Sequence, residues 1–130
     1  MNAANTASFY KNQQVMTAPP EELTLMLYNG AISFVNESMK ALEQNNIQQA
    51  HNANLKAQNI VREFIATLDM QYEISQSLFR MYDYIEYRLI HANMDKDKCQ
   101  LEEAKQLLLE LRDSWYQAMK LARSQRAVGK

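Results

Sequence analysis

From Pro20 to Ser124, apolar side chains recur at intervals of three and four, the spacing that gathers them on one face of an α-helix. Four such stretches predict four helices. The first starts near Pro20, where proline suits an opening turn and Glu21 and Glu22 favour the positive dipole end, and runs to about Glu43. A second opens at Asn46-Ile47-Gln48-Gln49, which resembles a capping box with Asn46 as the cap, and continues to Leu68. Asp69 is placed to cap a third, over Gln71 to Asn93, and Asp97 a fourth, ending near Ser124.

Punctuation supports this division. The prolines are Pro19 and Pro20 and the glycines Gly30 and Gly129, so nothing between Ala31 and Val128 breaks a helix. The links around Asn45, Met70 and Asp95 are short enough to force antiparallel neighbours. The expected fold is therefore all-α, an antiparallel up-down four-helix bundle over residues 17–124. A flexible N-terminal arm, residues 1–16, precedes it, and a short tail, residues 125–130, follows. Gly30, in mid-helix, suggests close helix packing.

The apolar faces are unequal. On the second helix Ile47, Ala50, Ala53, Ala57, Ile60, Val61, Phe64, Ile65 and Leu68 share an arc of roughly 140°. The fourth has a comparable face from Leu101 through Leu108, Leu111, Trp115 and Ala118 to Ala122, with Leu109 and Tyr116 beside it. The first helix offers a core stripe of Leu23, Met26, Leu27, Ala31 and Phe34. It adds Leu25, Tyr28, Ile32 and Met39, so its apolar arc is on the order of 260°. The third packs Ile74, Leu78, Met81, Tyr82, Ile85 and Leu89 inward and carries a second stripe of Tyr72, Phe79 and Ile90, with Tyr87 and Met94 nearby. A bundle core accepts about a third of each helix surface. Any one of these residues is as readily core in an irregular bundle, but together the surplus marks an interaction surface, for which tyrosine is well suited. Its cover is the chain's own arm, a second copy, or a foreign segment lying in a groove.

Charge and chemistry narrow the function by exclusion. In 130 residues, fourteen basic residues oppose fifteen acidic ones with no long block of either, which argues against nucleic acid as a partner. One cysteine, Cys99, rules out an internal disulfide and argues against a cysteine zinc site. The N-terminus does not read as a secretory signal and no stretch is long and apolar enough for membrane insertion, so a soluble, cytoplasmic protein is expected. His51 and His91 follow Gln48 and Arg88, not the Glu-x-x-His pairs of di-metal bundles, and no glycine-rich phosphate loop exists. No catalytic residues, metal or cofactor are expected. Lys120, Arg123 and Arg126 suit the negative end of the last helix.

Three stretches carry a resemblance. FYKNQQVMTAPPEELTLMLYNGA (Phe9 to Ala31), LDMQYEISQSLFRMYDYIEYRLIHAN (Leu68 to Asn93) and LLLELRDSWYQA (Leu107 to Ala118) resemble, in order and spacing, the flagellar secretion chaperone FliS family. One departure is Pro19, where related sequences carry a serine able to cap the first helix. The resemblance implies a cytoplasmic chaperone that binds the disordered C-terminal region of flagellin, prevents early polymerisation and aids delivery to the flagellar export apparatus. It also implies a client wrapped around the bundle and an N-terminal segment that covers part of the site when no client is bound. On that basis the client-binding candidates are Leu25, Tyr28, Ile32, Tyr72, Phe79, Tyr87, Ile90, Leu109 and Tyr116, and the arm contacts are Phe9, Tyr10 and Val15. The expected state is a monomer or weak homodimer. The rival reading is a structural or adaptor bundle that forms a homo-oligomer through its spare apolar faces.

Overall fold

The computed structural model describes residues 19–128, and within them the chain forms four α-helices and no strand. These are α1 (Pro20–Glu43), α2 (Ile47–Thr67), α3 (Glu73–Asp95) and α4 (Lys98–Val128). Each packs along its neighbours in sequence, and α4 closes the bundle against α1. The expected arm, with Phe9, Tyr10 and Val15, lies outside the described residues.

Local chemistry sets most boundaries. Asn46 caps α2 as its pattern predicts: the Gln49 backbone N–H donates to Asn46 Oδ1 at 3.2 Å. Lys96, in the left-handed region at φ 53°, ends α3. Asp69 caps no helix. Its carboxylate accepts the Gln71 N–H at 3.0 Å and its carbonyl accepts the Ser75 hydroxyl at 2.6 Å, so it organises the turn and α3 begins later, at Glu73.

Pro19 gives α1 no side-chain cap, and the start of that helix is held from across the bundle. The Trp115 indole N–H donates to the Glu21 carbonyl at 2.8 Å, while Arg123 reaches Glu22 at 2.8 Å and Arg126 reaches Glu21 at 3.3 Å. Such exposed ion pairs contribute at most about 1 kcal/mol each. They nevertheless lie where α4 runs on as helix to Val128, past the expected end near Ser124 and through much of the expected tail.

The core is sealed by Ala31 and Val35 of α1, Ala57 and Val61 of α2, Ile85 and Leu89 of α3, and Leu101, Ala104 and Leu108 of α4. Helices α1 and α2 approach closely enough for the buried Ser38 hydroxyl to donate to the Ala50 carbonyl at 2.8 Å. A Cβ on Gly30 would lie 3.4 Å from Ile60 Cδ1, an ordinary contact, so packing does not by itself require the glycine expected to mark a close approach. Four inward assignments need correction: Ile47, Ile74, Ala118 and Ala122 are exposed. Ile47 and Ile74 stand in the first turn of their helices, at the bundle ends, where no opposing side chain covers them.

One polar network is buried between α2 and α3. Asn54 Nδ2 donates to the Leu89 carbonyl at 3.0 Å, and Gln58 Nε2 donates to Asn54 Oδ1 at 2.7 Å. Asn54→Leu removes the acceptor and leaves the Nε2 donor of the buried Gln58 unpaired. The expected loss is about 1–3 kcal/mol of stability, read as a lower urea midpoint with an unchanged slope.

Candidate functional site: an apolar cleft at one end of the bundle

The bundle interior stops at an aromatic layer. Phe64 of α2 stands between Tyr28 of α1 and Tyr82 of α3, with ring centroids 4.5 Å and 5.3 Å away, and Leu111 of α4 completes the floor. Beyond this layer, towards the start of α1 and the α2–α3 turn, the residues lining the space between the helices include Thr24, Ser75, Ser114 and Ala118. All four side chains are too short to meet across the bundle. The result is a cleft of about 580 Å³ with largely apolar walls, among them Leu68, Leu78 and Trp115. Tyr72 and Ile74 form an exposed rim, at 64% and 67% exposure. Past Trp115 and Ala118 lies a second hollow of about 250 Å³, lined also by Met119, Ala122, Glu21 and Arg126.

The floor has one polar feature. The Tyr28 and Tyr82 hydroxyls meet at 2.5 Å, both residues being buried. Burial, the leading cause for each, pushes both phenols above their ordinary value near 10. Both stay neutral in the folded protein at pH values where the unfolded chain ionises. The pair's contribution to stability is therefore complete below pH 10 and is lost as pH climbs towards the folded-state values. Above about pH 10 stability should fall, by at most about 1.4 kcal/mol per pH unit for each phenol. Urea midpoints measured from pH 8 to 11.5 check this.

The nine sequence candidates do not form one site. Tyr28 and Ile32, at 3% and 7% exposure, are core rather than part of a spare outer surface, and only Tyr28 meets open space, through the cleft floor. The physical reason is that α1 packs on both α2 and α4, so its broad apolar arc is consumed by two neighbours. Leu25 and Leu109 are half-buried, and Tyr116 is exposed. Their helical positions put them on the α1–α4 side, the side bridged by Arg112 to Asn29 and by Lys98 to Glu43. Phe79, Tyr87 and Ile90 lie on α3, Phe79 and Tyr87 exposed and Ile90 half-buried, with the Tyr87 ring tilted against His91 at a centroid distance of 4.1 Å. Of the nine, the cleft takes only Tyr72 at its rim and Tyr28 in its floor.

Sequence reasoning missed Thr24, Ser75, Ser114 and Ala118 as cleft positions. The available signal was small or polar residues on otherwise apolar inward stripes at one end of the bundle. Among the described residues no group of three His, Cys, Asp or Glu side chains is placed to hold a metal, and no helix is long and apolar enough to cross a membrane.

Comparison with known proteins places this chain in a family. Residues 1–122 match the family model described as flagellar protein FliS. The chain belongs to the FliS family. It is 38% identical over 126 residues to the flagellar secretion chaperone FliS of Bacillus subtilis, covering 97% of this chain and 95% of that protein. The Salmonella typhimurium protein of the same name is 36% identical over 106 residues, covering 79% and 78% of the two chains. That of Escherichia coli is 31% identical over 109 residues, covering 81% and 79%. The FliS match takes in α1, α2, α3 and most of α4, including every residue that lines the cleft.

Proposed function

We propose that this protein is a cytoplasmic flagellar export chaperone that seats an apolar segment of the disordered C-terminal region of flagellin in the end cleft. The observation that carries the reading is an open, largely apolar cleft of about 580 Å³ in a FliS-family chain. A cavity of that size is in the range of sites that bury most of a bound group. Ordering a disordered client costs about 2–5 kcal/mol or more, and each apolar side chain buried well in the cleft returns roughly 1.5–3 kcal/mol. Several such side chains are therefore needed, no chemistry is involved, and a held segment is unable to join a filament. Delivery to the export apparatus follows from keeping the client monomeric. No catalysis is required.

The path of the client extends from the cleft. Tyr72 stands both on the rim and at the head of the stripe that continues through Phe79 to Ile90 along α3. From residue 72 to residue 90 is about 27 Å at helical rise, room for several turns of a client helix. Leu25, Leu109 and Tyr116, on the α1–α4 side, are secondary contacts for a client that wraps the bundle. Phe9, Tyr10 and Val15 serve as temporary cover for the empty cleft, since the chain reaches α1 through Pro19, about one turn from Thr24 on the cleft wall.

Calorimetric titration of the full chain with a synthetic flagellin C-terminal peptide tests the reading. Saturable binding at one peptide per chain, with a gain in total helicity, is expected. Absence of binding at concentrations up to about a millimolar, a level that only very weak interactions require, would overturn it.

A further inference from the structure

The tyrosine pair in the cleft floor has a proton to spare. Two neutral phenols carry two O–H groups, and the single Tyr28–Tyr82 contact at 2.5 Å uses one of them. The second proton has no acceptor among the described residues, since each hydroxyl is hydrogen-bonded only to the other. Both tyrosines are more than nine-tenths buried and both line the cleft, which is where the remaining open volume lies. In the open cleft, solvent accepts this proton; a client that displaces the solvent must bring an acceptor in its place, because a buried donor left unpaired is costly.

We infer that the Tyr28–Tyr82 pair is a specificity element that donates one hydrogen bond to a neutral acceptor carried by the apolar client segment in the cleft. The inference rests on the reading that this cleft seats the client. It adds a chemical requirement: a backbone carbonyl at a helix end or bend, or an Asn, Gln, Ser or Thr oxygen, placed between apolar residues. A carboxylate is excluded by the surroundings. The cleft lining contains no lysine or arginine, and its one charged side chain is Asp69, so an anion at the floor would be desolvated without a counter-charge. A purely aliphatic segment is disfavoured for the opposite reason, because it would strand the phenolic proton.

The experiment compares the full-length chain with Tyr28→Phe, Tyr82→Phe and the double variant. Titration with the flagellin C-terminal peptide is the readout, and circular dichroism verifies each fold. Either single variant retains one phenol with one proton, which is still free to reach the client. The singles should bind within about threefold of the parent, and the double variant about tenfold more weakly, the loss set by an acceptor buried without its donor. A double variant that binds as tightly as the parent would overturn the inference while leaving the client reading intact. A single variant as weak as the double would overturn it too, by showing that the pair matters only as a packed unit. Tighter peptide binding by the double variant would reassign the proton to the chain's own arm. Self-association that is lost in the double variant would reassign it to a second copy. Failure of the parent itself to bind would sink the client reading beneath.

Discussion

Ala118→Trp should lower affinity for a flagellin C-terminal peptide by about 30-fold or more while leaving the bundle folded. Ala118 is exposed and borders both hollows beside Trp115, so an indole there projects into open volume and displaces no core atom. Filling that volume denies the client the burial of at least one large apolar side chain, roughly 1.5–3 kcal/mol, which is about 10- to 150-fold in affinity. Thermal stability should hold or rise, because the new ring covers apolar wall already exposed to water. Calorimetry alongside a melting curve measures both quantities. Unchanged affinity in a folded variant would mean that the client binds elsewhere, and the stripe from Phe79 to Ile90 would then become the leading surface.

Tyr28→Asp combined with Ile32→Asp should unfold the protein. Both positions are buried in the central cluster, with Tyr28 against Phe64 and hydrogen-bonded to Tyr82. Each aspartate would remove a large apolar side chain and place an unpaired carboxylate among apolar neighbours, at an effective cost of several kcal/mol per charge. Two such costs consume most or all of the 5–15 kcal/mol that stabilises a typical domain. Far-UV circular dichroism of the double variant should lose its helical signal. Retained helicity would contradict the placement of α1 and restore the spare-face reading of these two residues.

Those two predictions separate what was legible from what was not. Helices α1 and α2 were readable almost to the residue, since Pro20 and the Asn46 cap act within one turn of themselves. The end of α4 was misjudged because Arg123 and Arg126 find their partners on α1, far away in sequence. The exposed aromatics of α3 were legible from periodicity, and Tyr72, Phe79 and Tyr87 do face solvent. The wide apolar arc of α1 was legible too, but its meaning was not, because periodicity counts apolar side chains without counting the neighbours that cover them.

The cleft shows the division most plainly. Sequence alone determined an all-helical bundle, its four segments and a FliS-like pattern, because helix signals, caps and short links are local and the family motifs are contiguous. It also supplied Thr24, Ser75, Ser114 and Ala118 one at a time, each unremarkable on its own helix. Only the tertiary structure decided that these small side chains come from three helices to one level, beyond the Tyr28–Phe64–Tyr82 layer, and leave a hollow there. A cavity is an absence shared among neighbours, and no single segment of the chain encodes how far the others reach.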